Sequence, residues 1–271
     1  MSLRLFGTRD PGDPAVARLD PAAARHLRAR RVSAGVSIVV VLGPGEEYDA
    51  VLLQSDGGGA TCRIGAARDA PPADPSRGVW LCVGLADQGR LDLVVEKATE
   101  LGAGAVAVFR ASRSQFASVS DSRLDRWRRI ALAACEQCGR TAPPAIETGW
   151  SLDDVTALVA RATEAIVFVT PRESVAAAPP VATGARTRDP GRTGTPPTAP
   201  KGAAGPDRVL VVGPEGGLDS DEVRRLLEAG ARPASLGPRV LRFETAAIAA
   251  LARHAPEDEG ERSGVRADPL E

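Results

Sequence analysis

At 271 residues the chain exceeds the usual single-domain size of roughly 100–200 residues, so two compact units are expected. Hydrophobic residues at 43% and charged residues at 25% match an ordinary soluble folded protein and exclude a disordered or fibrous class. A formal charge of −1 excludes a global field that would draw in nucleic acid, so any polyanion must be met by local arginine clusters.

No apolar run approaches the ~20 residues of a membrane span, and the N-terminus MSLRLFGTRD lacks the apolar core of a signal peptide; a cytoplasmic protein is expected. The four cysteines do not form a disulfide framework in a chain this long, so reduced thiols are expected.

The first arginine cluster is Arg25, Arg28, Arg30 and Arg31, which reads either as a solvated helix face or as a nucleic-acid contact. From Val36 to Ala67 come strand-like runs, VSIVVVL, YDAVLLQ and TCRIGAA, separated by GPGEE and by the glycines at 57 to 59. Short strands between glycine turns predict a small barrel, placed at residues 1–72. The Pro-rich run from Ala70 to Gly78 marks a boundary. Beyond it strands alternate with helices: VWLCVGLA, the helix LDLVVEKATELG, AVAVFRA, and a long helix from about Ser122 to Gly139 that carries a second cluster at Arg123, Arg126, Arg128 and Arg129. A helix from near Ser151, with Asp154 completing a capping box, leads into the strand AIVFVTP. Such alternation predicts a parallel sheet with crossover helices, making residues 76–254 an α/β unit. Within it about 176–207, rich in Ala, Gly, Pro and Thr, reads as a disordered insertion, and 255–271 as a disordered tail, because neither can bury enough apolar area to offset ordering entropy.

RVLVVGPEGGLDSDEVRRLLEAG, Arg208 to Gly230, reads as a buried strand, a glycine turn, an Asp219–Glu222 capping box and a helix ended by Gly230. Gly213, Gly216 and Gly217 allow close backbone approach at a strand's carboxyl end, where open α/β sheets place ligands; the same turn also reads as merely tight. The G-x-G-x-x-G dinucleotide spacing and the phosphate-binding G-x-x-x-x-G-K-[ST] loop are both absent. One helix later the short strand ASLG meets GPRVLRFETAAIAALARHA, where Gly237 and Pro238 turn the chain before a last helix. Arg239 and Arg242 flank that turn, and cations at a helix start are an electrostatic misfit of the kind functional sites carry.

Cys135 and Cys138 in AACEQCGR fall in the last turn of the long helix, where the dipole disfavours thiolate, so neither a redox pair nor a metal site is expected. There is no G-x-S-x-G elbow for a serine hydrolase, and His26 sits in the front arginine cluster.

AACEQCGR (Ala133 to Arg140), VVGPEGGL (Val211 to Leu218) and LGPRVLRFET (Leu236 to Thr245), in that order, closely resemble the small-subunit ribosomal RNA uridine N3-methyltransferase family, the E-type enzymes of the knotted SPOUT superfamily. VVEKATELG, FRASRSQ and HLRARRVSAGVSIVVVLGPGEEYDAVL extend the likeness over most of the chain outside the insertion and tail. The resemblance implies a PUA-like RNA-binding β-barrel followed by a SPOUT α/β domain with a C-terminal trefoil knot. It also implies a homodimer and S-adenosyl-L-methionine as cofactor.

Carried residue by residue, Gly213, Glu215, Gly216 and Gly217 form one cofactor loop, Leu236, Gly237, Val240 and Leu241 the other, and Thr170 a third contact. Arg242 is the expected charge-stabilising catalytic residue, with Arg239 and Glu244 behind it; a structural ion pair of Arg242 with Glu244 or another carboxylate is the competing reading. Arg25, Arg28, Arg30, Arg31 and Arg113 are expected on RNA, with small-subunit rRNA, free or within the 30S subunit, as partner. The chain departs from the family at Phe243, where a hydroxyl residue is usual, and at Asp87, Gln88 and Gly89, where a basic residue often stands. The alternatives are a knotted ribose 2′-O- or tRNA methyltransferase and a non-catalytic rRNA-binding assembly factor.

Overall fold

The computed structural model describes residues 3–19, 21–56, 59–69, 78–169 and 205–254. The segment called an insertion, but for its last three residues, and the tail lie outside them, as does Thr170.

Strands β1 (Arg4–Arg9), β2 (Val16–Leu19), β3 (Ser37–Gly43), β4 (Glu46–Asp56) and β5 (Gly59–Ala67) close into a barrel in the order β1-β2-β5-β4-β3. The three runs read as strands correspond to β3, β4 and β5. What closes the barrel was not picked out: β1 and β2 lie outside the runs singled out in the sequence, and β1 pairs with β3 in parallel, Leu5 against Val40. In β4, Ala50 and Leu52 point into the core while Val51 and Leu53 face out. Helix α1 (Pro21–Ala29) seals the barrel with Ala24 and Leu27, both fully buried.

The second unit is a six-stranded parallel sheet in the order β11-β9-β10-β6-β7-β8. Its elements are β6 (Val79–Gly84), α2 (Gln88–Glu100), β7 (Ala105–Arg110), α3 (Asp121–Cys138), β8 (Ala145–Ser151), α4 (Leu152–Val159), β9 (Glu164–Phe168), β10 (Arg208–Val212), α5 (Ser220–Glu228), β11 (Arg232–Ala234) and α6 (Phe243–His254). The four inner strands, β9, β10, β6 and β7, are apolar almost throughout because both faces are covered. Leu81, Val83, Val106, Val108, Leu210 and Val212 pack under α2, α3 and α6, whereas Cys82, Ala107, Val209 and Val211 pack under α4 and α5.

Both expected capping boxes form: Ser151 with Asp154 on α4, and Asp219 with Glu222 on α5. One expectation is corrected. The strand before the last helix ends at Ala234, so ASLG is mostly turn, because the Ser235 hydroxyl bonds both the N–H and the carbonyl of Gly237.

Helix α3 ends at Cys138 with Gly139 left-handed at φ 92°. The residues after it build the joint to the barrel. Thr141 Oγ1 accepts from the Gly45 N–H at 2.9 Å, and Arg140 donates to the carbonyls of Thr99 and Ala103, both at 2.9 Å, capping the end of α2. Burial pushes the Cys135 thiol up to about 12, with Cys138 exposed. The AACEQCGR motif is thus a helix end, and Thr141, the residue after it, makes the inter-unit contact. Among the described residues no group of His, Cys, Asp or Glu is arranged to hold a metal, and no helix is long and apolar enough to cross a membrane.

Candidate cofactor cleft

The order of the sheet places the cleft. From β6 the chain steps outward through β7 to β8, then returns to lay β9 and β10 on the other side, so the carboxyl ends of β6, β10 and β9 lie next to each other where the direction reverses. Two loops rise there, one after β10 and one after β11. A cleft opens between them.

Of the residues named from sequence, Gly213, Glu215, Gly217, Leu236, Gly237, Val240, Leu241 and Arg239 line this cleft. The two loops therefore face one pocket. Phe168, Val169, Val212, Pro214, Leu218, Ser235, Phe243 and Ala246 complete the lining, and none of them was expected as a cofactor contact. They are the carboxyl ends of β9 and β10 and the residues adjoining the loops, which strand order brings together. Val169, the neighbour of Thr170, is among them.

The first loop is a turn closed by the Gly217 N–H on the Pro214 carbonyl at 2.8 Å, with Gly217 at φ 72°. It is held from three sides. A Cβ on Gly84, at the end of β6, would lie 2.3 Å from Pro214 Cδ and 2.5 Å from its nitrogen, so β6 touches the loop through a glycine because nothing larger fits. From the loop after β7, Arg113 Nη1 donates to the carbonyls of Gly216 at 3.0 Å and Leu218 at 3.4 Å. Gly216 itself faces Arg113, not the cleft: a Cβ there would meet Arg113 Cβ at 2.9 Å. Ser112 ties the same loop to α5. Its N–H donates to the buried Glu222 carboxylate at 2.7 Å and its hydroxyl to Asp219 at 2.8 Å. The Glu222 N–H and Ser112 hold Asp219 below the ordinary carboxylate range.

The third side is α2. Asp87 caps it, accepting from the Gly89 and Arg90 N–H groups, and the Asp87 N–H donates to Glu215 Oε1 at 2.9 Å. Arg90, in the first turn of α2, sits 3.8 Å from the same Glu215 oxygen and donates to Glu244 Oε2 at 3.0 Å. The departing triplet thus has a role within the chain: Asp87 seats α2 against the Gly-rich loop, and Gln88 Oε1 accepts from Arg123 at 2.8 Å. Arg90 was overlooked, although a cation in a first turn is the same misfit that marked Arg242.

Glu244 is therefore partnered by Arg90, not Arg242. Arg242 is exposed, with no side-chain partner among the described residues, while its carbonyl accepts from the Ala246 N–H at 2.9 Å to start α6. Phe243, the other departure, is buried in the core beneath the cleft. Arg239 is exposed at the rim, and Val240, at 67% exposure, stands out from the second loop.

The remaining arginines divide. Arg25, Arg30 and Arg31 are exposed on and just after α1, while Arg28 donates to the Asp56 carbonyl. Arg113 lies apart from them at the Gly-rich loop, its Nη1 engaged by two carbonyls. On α3, Arg123 and Arg126 share Asp92, and Arg128 pairs with Asp125, which offsets part of that face's positive charge.

Residues 73–255 match the family profile described as an RNA methyltransferase domain. The ribosomal RNA small subunit methyltransferase E of Mycobacterium bovis is 33% identical over 248 residues, spanning 89% of this chain and 86% of that protein. A probable rRNA-methyltransferase from Porphyromonas gingivalis superposes with a TM-score of 0.67 at 26% identity, covering 91% of this chain and 94% of that one. The ribosomal RNA small subunit methyltransferase E of Neisseria gonorrhoeae, solved bound to S-adenosyl methionine, superposes at 0.71 with 24% identity over 93% of this chain and 96% of that one. With the barrel, the parallel sheet and the two facing loops in place, these matches make the chain a member of the ribosomal RNA small subunit methyltransferase E family.

Proposed function

We propose that this chain methylates the N3 atom of a uridine in small-subunit ribosomal RNA, using S-adenosyl-L-methionine bound in the cleft between the loops after β10 and β11. The observation that carries the reading is that two glycine-bearing loops expose backbone around an apolar floor, with the Glu215 carboxylate in the wall and two exposed arginines beside it.

The lining fits the cofactor. Phe168, Val212, Leu218, Leu236 and Leu241 suit an adenine face, main-chain groups of the loops can read its edge, and a carboxylate wall suits a cation. The bound cofactor would supply an electrophilic sulfonium methyl. Most of what the protein contributes is alignment of the attacking nitrogen with that methyl, so the loops must be held in place before the substrate arrives. The uracil N3 proton must also leave. Arg242, whose charge no carboxylate of the described residues offsets, favours the anionic base; Arg239 shares the rim, and Glu244 is already paired with Arg90.

The exposed Arg25, Arg30 and Arg31 of the barrel would meet phosphates, and N3 becomes reachable once its base is unpaired and unstacked. We extend the reading to two units joined through residues 70–78, to a homodimer acting in the cytoplasm on rRNA in the 30S subunit, and to a C-terminal knot. The knot is supported by β10 lying between β9 and β6, both earlier in the chain.

Methyl transfer from labelled cofactor to small subunits lacking the modification, followed by nucleoside analysis, tests the proposal. Label in 3-methyluridine that collapses in Arg242→Ala while cofactor binding persists is the expected result. Label in a 2′-O-methyl nucleoside or in tRNA, or binding without transfer, overturns it.

A further inference from the structure

We infer that Arg90 is a positioning residue that clamps the two walls of the cofactor cleft together. The inference rests on the cofactor reading above. Glu215 belongs to the loop after β10 and lines the cleft, whereas Glu244 opens α6 directly after the second loop and adjoins Phe243 in the cleft floor. These carboxylates come from opposite walls and converge on one guanidinium, at 3.8 Å through Nε and 3.0 Å through Nη1. Their side-chain exposures of 23% and 15% leave them partly solvated, so a missing cation would leave two neighbouring carboxylates whose repulsion water screens only in part.

The helix turn that carries the Arg90 side chain is held in place through its backbone. Asp87 accepts the Arg90 N–H at 3.2 Å, and the Asp87 N–H reaches the same Glu215 oxygen that Arg90 faces, so side chain and helix cap act on one carboxylate. A planar fork spans two acceptors at fixed separation, which a lysine ammonium on a flexible stem does less well. Arg90 is 40% exposed, and ion pairs at that exposure contribute little to global stability. Its effect is expected in the spacing of the walls: cofactor affinity, with the reacting atoms untouched.

The test is calorimetric titration of the full chain with S-adenosyl-L-methionine, alongside methyl-transfer kinetics on small subunits and thermal melting, for wild type, Arg90→Met, Arg90→Lys and Arg90→Met/Glu244→Gln. Arg90→Met should weaken cofactor binding about fivefold and raise the cofactor KM in step, with kcat changed less than about twofold and the melting temperature close to wild type. Arg90→Lys should fall between. The double variant should recover part of the loss, because removing one carboxylate removes the repulsion. A merely structural arginine would lower the melting temperature and leave KM alone. Wild-type affinity in Arg90→Met, or a loss that the double variant deepens, overturns the clamp while leaving the cofactor reading standing. A wild-type chain that binds no cofactor overturns that reading and the clamp with it.

Discussion

Gly84→Ala is the substitution whose outcome the structure constrains most closely. The added methyl would lie 2.3 Å from Pro214 Cδ, 2.5 Å from Pro214 N and 3.1 Å from the Gly213 carbonyl carbon. Carbon atoms rest at roughly 3.5–4.0 Å, so the contact must open by more than about 1 Å. Because the opposing atoms are a proline ring and backbone, no rotamer change relieves it, and either β6 or the loop moves. Overpacking of this kind costs about 1–3 kcal/mol. In a unit this size that lowers the melting temperature by about 2–10 °C. The movement falls on the loop that lines the cleft, so cofactor affinity should drop by about fivefold or more, as about 1.4 kcal/mol corresponds to a factor of ten. Melting and calorimetric titration measure both, with Gly43→Ala as control, since its nearest new contact is an ordinary 3.8 Å. Wild-type melting and affinity in Gly84→Ala would refute the argument that the loop's seat depends on that glycine.

Arg113→Met should weaken cofactor binding about tenfold, because two carbonyls of the Gly-rich loop lose a charged donor; a change confined to RNA affinity would instead place Arg113 on the substrate. Stability should fall in acid. Arg232 and Arg208 hold Glu164 below its ordinary 4.5, and Asp219 is held below 3.8, so the unfolded chain takes up protons first and the stabilisation present above these values is lost as pH drops through and below them. His254, pushed below 6.5 chiefly by burial, adds an earlier loss from about that pH downward. Urea unfolding from pH 7 to pH 3 reads the slope, and Asp219→Asn should flatten it below pH 4. Of the four cysteines, Cys138 alone should react rapidly with a thiol reagent in the native protein, because burial pushes Cys62 to about 11 and Cys82 and Cys135 to about 12; more than one fast equivalent would refute that burial pattern.

What the sequence determined by itself is what local chemistry controls. Apolar runs bounded by glycine turns mark β3 to β5, strand and helix alternation marks the parallel sheet, and Asp219–Glu222 and Ser151–Asp154 announce helix starts, since each is settled within a few residues. The glycine loops were legible for the same reason, and family resemblance added which loop residues to look at. Tertiary structure alone decided how these parts meet. Nothing in β1 reveals that it pairs with β3 to close the barrel, and nothing in VWLCVG reveals that Gly84 is there to admit Pro214, 130 positions later in the chain. Arg90 bridging Glu215 and Glu244, and Arg113 holding the Gly216 carbonyl, join residues more than 100 apart along the chain. Such contacts depend on which strand lies beside which, and that order is set by burying both faces of the sheet at once, a condition on the whole chain that no short stretch of it records.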